Sequence, residues 1–373
     1  MSKHLKLAAC ALLIAAGFTA CDDDDETTTK TTTTYETTTV DCAYVVNQGN
    51  YYSGVAGTLD MIDLEAGTVT SGVFYSVNSQ SLGDTPQQAI VYGSKIYVPV
   101  YASDLVWVLD AYTLEILAQV STASPEAVCG DGAYVFISNN DGYVTRMDTL
   151  TFSANEQLAV GPNPCNMTAA NSMVYVSISD GYNYTNSYAD GKQVVAIDTE
   201  SFTIAETFAV GTNPGPIVAD DEGNVYVVAR GDYYLELPLV QKIATDGTVT
   251  DFADGTLLAY NDGTLYIIDY TADYVSNVCD VTAAAYSTST ASLLSDWELD
   301  ADNLPLMPNA IDINPVTGDL YICSDNSPYG YSEDGYVYVY SADGTYQTTY
   351  DVGIHPYGVV FPTKYSTVTV TSE

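Results

Sequence analysis

Short apolar runs recur along the chain, each rich in β-branched and aromatic side chains and each bounded by turn residues. They read Lys95-Ile96-Tyr97-Val98, Ala133-Tyr134-Val135-Phe136-Ile137, Met173-Val174-Tyr175-Val176, Val225-Tyr226-Val227-Val228, Thr264-Leu265-Tyr266-Ile267-Ile268 and Asp319-Leu320-Tyr321-Ile322. Runs of this length and composition predict strands covered on both faces. Before each run stands a phrase in which a Pro is followed, a few residues on, by an apolar pair. The prolines are Pro86, Pro125, Pro164, Pro214, Pro308 and Pro356, and one copy near Gly255 to Ala259 lacks its Pro. After each run a loop of variable length leads to a third strand ending in an Asp turn, as at Met61-Ile62-Asp63, Val108-Leu109-Asp110, Arg146-Met147-Asp148 and Ala196-Ile197-Asp198. A fourth strand, such as Phe208 to Gly211, returns to the next phrase.

The pattern gives seven units, spaced from 39 residues (Pro86 to Pro125) to 52 (Thr256 to Pro308). Four strands at this period are the signature of an all-β, seven-bladed β-propeller with four-stranded blades. Blade one opens near Ala43 with its second strand, Tyr44-Val45-Val46-Asn47, and has no first strand of its own. Pro356 to Phe361 is a first strand with nothing after it. The C-terminal strand therefore completes blade one and closes the ring. Residues 42–362 form one domain, with 363–373 as a tail.

Composition narrows the class. The chain has 9 Lys+Arg against 48 Asp+Glu, a net charge of −39, yet 47% of residues are hydrophobic and 33 are Tyr. It is too apolar for an acidic disordered protein and too acidic for a nucleic-acid binder. Cys42, Cys129, Cys165, Cys279 and Cys323 are widely spaced with no CxxC, which excludes zinc and redox motifs. They read as small buried apolar residues, with room for one or two disulfides.

The N-terminus reads as an export signal over residues 1–20. Lys3, His4 and Lys6 precede an apolar run, Leu7 to Gly17, that is too short to span a bilayer. Phe18-Thr19-Ala20-Cys21 resembles a lipobox, departing from the usual pattern at Phe18 and Thr19. The resemblance implies lipidation at Cys21 and attachment to a membrane through the lipid anchor only. Residues 21–41 are then a tether, starting with Asp22 to Glu26 and continuing Thr-rich. An acidic run after the acylated Cys resembles the surface-export signal of outer-membrane lipoproteins and implies a cell-surface location.

Alternating strand directions assign every loop to a face. Turns such as Gly93-Ser94, Asp131-Gly132, Glu222-Gly223 and Asp262-Gly263 make one face plain hairpin chemistry. The other face collects the loops after the second strands, which are rich in Tyr, Asn and Asp. Stiff, amphipathic tyrosines on a surface suit recognition. Its candidate ligand-binding residues are Asn47, Tyr51, Tyr52, Tyr101, Asn139, Tyr182, Tyr184, Tyr188, Arg230, Tyr233, Tyr270, Tyr329 and Tyr331. Residues flanking the prolines are expected to ring the channel at the same mouth: Gln87, Glu126, Asn166, Asn309, His355 and Tyr357. Replacing Tyr182, Tyr184 and Tyr188 together is expected to weaken ligand binding and leave the melting temperature almost unchanged. No nucleophile motif stands out, no metal ligand set is apparent, and His355 is the only His outside the signal, so a non-enzymatic binding role without a cofactor is expected.

The recurring Pro phrase, Tyr-Val run and Val-x-Asp turn resemble the YVTN/YncE-like seven-bladed propeller family over nearly the whole body. With Asn47-Gln48-Gly49-Asn50 opening blade one and a Tyr- and Asp-rich mouth, the chain also resembles the BtuG-type surface lipoproteins that capture cobalamin. That resemblance implies a corrinoid ligand and a TonB-dependent outer-membrane transporter as partner. A glycan-binding companion of a polysaccharide transporter, or a protein-interaction scaffold, are the alternatives.

Overall fold

The computed structural model describes residues 31–372. Seven four-stranded antiparallel sheets form the blades, and an eighth, two-stranded sheet pairs Thr31–Thr39 with Lys364–Ser372. In blade one the order is Pro356–Val360, Cys42–Asn47, Thr58–Asp63 and Thr68–Thr70, so the ring closes with the last blade strand of the chain innermost in the first blade. The expected tether 21–41 is therefore paired with the chain's own tail over Thr31–Thr39. Cys21, the apolar run and the acidic stretch lie outside the described residues.

The second strands explain the unbroken apolar runs. Along Cys42–Asn47, Ala43 and Val45 pack with Val337, Val339 and Cys323 of blade seven, while Tyr44 and Val46 pack with Ile96, Val98 and Trp107 of blade two. A strand between two neighbouring sheets has no solvent side, so both sets of alternating side chains must be apolar. Each such Val, Leu or Ile contributes about 1.5–3 kcal/mol of burial. The third strands end where expected. Asp63, Asp110, Asp148 and Asp198 each accept backbone N–H groups two or three residues on, at 2.7–3.0 Å. These donors hold the Asp110, Asp148 and Asp198 carboxyls below their ordinary value.

Three features depart from expectation. A short helix, Val73–Asn78, sits between blades one and two and buries Phe74 against Trp107. Blade six carries a long hairpin, Thr264–Asp273 paired with Val278–Ser287, so Tyr270 is a strand residue and not a loop residue. Cys42, Cys129, Cys165, Cys279 and Cys323 are all unpaired. Cys129, Cys165 and Cys323 are buried and fill apolar space as expected, whereas Cys42 and Cys279 are only half-buried.

Candidate functional site

The Pro phrase is a device that shapes the mouth. Ladders are interrupted at the prolines, with register shifts beside Pro125, Pro164, Pro214, Pro308 and Pro356. Proline has no N–H to give, so the inner strand tolerates it only where pairing breaks. The residue before it turns left-handed: Thr85, Ser124, Asn163, Asn213 and His355 have φ between 41° and 57°. Each of these carbonyls then accepts the first backbone N–H of the facing loop, from Tyr101, Asn140, Ser179, Arg230 and Gln48 respectively, at 2.9–3.2 Å. Blade after blade, one turn thus staples the incoming strand to the loop that follows the second strand.

Two adjoining hollows open at this mouth. The larger, about 760 Å³, is walled by Tyr51, Tyr52, Tyr101, Tyr182, Tyr274 and Tyr331. Its polar lining comes from Gln48, Asn50, Asp104, Asn309, Asp325 and His355. The smaller, about 340 Å³, lies in the channel and is lined by Asn166, Arg230, Tyr233, Tyr270, Asn309 and Tyr357. Asn309 lines both, and its Nδ2 donates to the Pro356 carbonyl at 3.3 Å.

In the larger cleft the tyrosines form a linked wall. The Tyr101 and Tyr182 hydroxyls hydrogen-bond at 2.6 Å across blades two and four. Burial, reinforced by that bond, pushes the Tyr101 phenol well above its ordinary value. Tyr51 and Tyr52 meet edge to face at 5.6 Å, and Tyr52 is 91% exposed. At the floor, His355 Nδ1 lies 2.9 and 3.0 Å from the two oxygens of buried Asp325, and the ring stacks on Tyr357 at 5.9 Å. Asp325 fixes the imidazole's orientation, and Nε2 makes no hydrogen bond among the described residues.

The expected site residues divide into three groups. Tyr51, Tyr52, Tyr101, Tyr182, Tyr331, His355 and Asn309 line the larger cleft, and Asn166, Arg230, Tyr233, Tyr270 and Tyr357 line the channel hollow. Tyr184 and Tyr329 are exposed on the same face but border neither space; Tyr329 packs edge to face on Tyr274 at 5.4 Å. Glu126 borders neither hollow but senses Arg230, and burial raises its carboxyl above the ordinary value. The remainder are structural. Asn47 is buried and donates to Thr58 Oγ1. Asn139 is buried, donates to Thr122 Oγ1 and the Ala123 carbonyl, and accepts from Thr145. Gln87 is buried and bonds Gln48. Tyr188 is only 5% exposed, with the loop residues Asp232 to Tyr234 of blade five near its hydroxyl, so its removal is expected to cost stability, contrary to the sequence expectation. Gln48, Asn50, Thr85, Asp104, Ser124, Tyr274, Met307, Asp325 and Pro328 were missing from the expected set. The residue before each Pro was the signal for Thr85 and Ser124, as it was for His355. Asp325 lies 30 residues from its partner His355 and carries no local mark.

Residues 41–364 match the family described as "Domain of unknown function (DUF5074)". The chain belongs to the DUF5074 family. No curated protein matches it. Among solved structures, this DUF5074 chain is similar to the hydrazine synthase of Kuenenia stuttgartiensis, with a TM-score of 0.60 and 14% identity over 77% of this chain and 95% of that one. It is also similar to a quinoprotein alcohol dehydrogenase-like protein from Bacteroides thetaiotaomicron, with a TM-score of 0.59 and 17% identity over 87% of this chain and 78% of that one. At such identities the DUF5074 body shares with them a fold and no more.

Proposed function

We propose that the chain is a non-catalytic, surface-exposed lipoprotein of the outer membrane that captures cobalamin or a related corrinoid at the mouth and passes it to a TonB-dependent transporter. One observation carries the reading: the cleft of about 760 Å³ combines six tyrosine walls with amide and carboxyl tips. Its volume is in the range of small-molecule sites, about 300–1,000 Å³. A corrin is a broad apolar disc edged by amides. Phenol faces match the disc, and Gln48, Asn50 and Asn309 match the edge. Asp104 and Asp325 favour a ligand whose metal centre carries positive charge.

Calorimetric titration of the purified chain with cyanocobalamin and with a panel of neutral glycans tests this. One-to-one corrinoid binding with silence toward glycans is the expected result. Heat with a glycan and none with the corrinoid overturns it in favour of a polysaccharide-uptake role, and silence toward both leaves a scaffold.

A further inference from the structure

Arg230 is out of place in so acidic a chain. The sequence holds 48 Asp+Glu, yet among the described residues no carboxylate lies within 4 Å of its guanidinium. The other cations with contacts are engaged: Arg146 with Glu156, Lys364 with Asp41, and Lys95 and Lys242 over aromatic rings. Among the described residues the guanidinium donates to one protein oxygen, Asn166 Oδ1, at 3.5 Å. A guanidinium has five donors and is costly to enclose without acceptors.

Its surroundings are shaped around that charge. A Cβ on Gly215 would lie 2.2 Å from Arg230 Cζ, so the guanidinium rests flat against a backbone kept bare for it. The side chain faces the channel hollow together with Tyr233, Tyr270 and Tyr357. Burial pushes the Tyr270 phenol up to about 12 and raises Tyr357 as well, so both keep a proton to donate at neutral pH. The carboxyl that Arg230 senses, Glu126, stands beyond 4 Å. The hollow presents one fixed cation, three phenols and the amides of Gln88, Asn166 and Asn309, with no carboxylate in its lining.

We propose that Arg230, with Asn166 and the phenols of Tyr233, Tyr270 and Tyr357, forms a subsite for an oxyanion: the phosphodiester of a ligand whose body fills the adjoining cleft. Asn309, shared by the two hollows, is the point where the ligand passes from one to the other. An Arg fork bonds two oxygens of a phosphodiester at once, which gives orientation as well as affinity. The assignment of the source rests on the corrinoid reading; the anion site itself does not.

The experiment has two arms. In the first, cyanocobalamin, which has a phosphodiester, is compared with dicyanocobinamide, the same macrocycle without it, on wild type and on Arg230→Gln. The variant is expected to weaken cyanocobalamin about 10- to 100-fold and to leave dicyanocobinamide within about 2-fold, as befits loss of charge-assisted hydrogen bonds. In the second, inorganic phosphate is titrated against chloride at matched ionic strength while the melting temperature is followed. Phosphate is expected to raise the melting point of wild type and not of Arg230→Gln. Gly215→Ala, which displaces the guanidinium while keeping it, serves as the second variant and should behave like Arg230→Gln. Equal loss for both corrinoids, or equal phosphate response in wild type and variants, overturns the oxyanion site. Phosphate protection of wild type alone, without corrinoid binding, keeps the site and removes the corrinoid reading.

Discussion

The loop after the second strand of blade four separates two kinds of tyrosine, and removing them one set at a time tests the assignment. Tyr182 and Tyr184 are each 68% exposed, whereas Tyr188 is 5% exposed. The loop is held from within. Asp180 Oδ2 accepts from Asn183 Nδ2 at 2.8 Å and from the Asp190 N–H at 3.0 Å, and the Tyr188 N–H donates to the Asn183 carbonyl at 3.1 Å. The Tyr188 side chain is buried, with its hydroxyl near Asp232, Tyr233 and Tyr234 of the neighbouring loop. A tyrosine buries about 200 Å², and at about 25 cal/mol per Å² its removal costs at most about 5 kcal/mol. Partial collapse of a surface loop into the void reduces this to about 3 kcal/mol. At about 2 °C per kcal/mol for a long chain, Tyr188→Ala should melt about 6 °C below wild type. The Tyr182→Ala/Tyr184→Ala double variant loses only exposed surface and the bond to Tyr101, so its cost is about 1 kcal/mol or less. Calorimetry and guanidinium unfolding give both numbers. On the proposed function, corrinoid affinity should fall in the double variant and hold in Tyr188→Ala below its melting point. A Tyr188→Ala protein that melts with wild type, or a double variant that melts with Tyr188→Ala, refutes the partition.

Two further outcomes follow from the framework. Arg146 bonds Glu156 through Nε and Nη2 at 2.9 and 2.7 Å, gives Nη1 to the Thr199 and Glu200 carbonyls, and lies 4.4 and 4.7 Å from the Tyr134 and Phe202 ring centres. A lysine cannot supply that flat fork, so Arg146→Lys should lose about 2–3 kcal/mol in guanidinium unfolding; a loss under about 0.5 kcal/mol contradicts this. Asp312, half-buried, accepts from Gln88 Nε2 and the Val359 N–H, and burial lifts its carboxyl from the ordinary 3.8 to about 6. Because the folded value is the higher one, the folded chain takes up the proton first. This group's stabilisation is therefore full below about 4 and fades as pH rises through about 6. Between pH 7 and pH 4.5 wild type should gain about 2 kcal/mol relative to Asp312→Asn, and parallel pH profiles for the two proteins would show that the carboxyl is not perturbed.

The blades were legible because their constraints are local. A strand between two sheets must be apolar throughout, an Asx turn needs its Asp at a fixed place, and a proline marks the break in the inner ladder. The helix Val73–Asn78 was not, since six residues with Val73, Phe74 and Val77 apolar do not establish a helical period. The mouth was half legible. Loop direction placed Tyr51, Tyr182, Tyr233 and Tyr329 on one face, but which tyrosines turn inward depends on side-chain packing, and Tyr188 shows that neighbours in one loop take opposite roles. Asn139, expected at the mouth, is buried for a similar reason. Its amide answers Thr122, Ala123 and Thr145, and only tertiary structure brings these together.

The closing of blade one also decides which way the molecule looks. Cys42–Asn47 runs toward the mouth and Pro356–Val360 runs away from it, so both chain ends leave from the far side. There Lys364 Nζ grips Asp41 at 2.7 Å, the Tyr112 hydroxyl clasps the Thr363 carbonyl, and the paired segments Thr31–Thr39 and Lys364–Ser372 start out together. Anything that grips the chain by its N-terminal side therefore meets the plain side of the disc, and the tyrosine-lined opening lies on the opposite side.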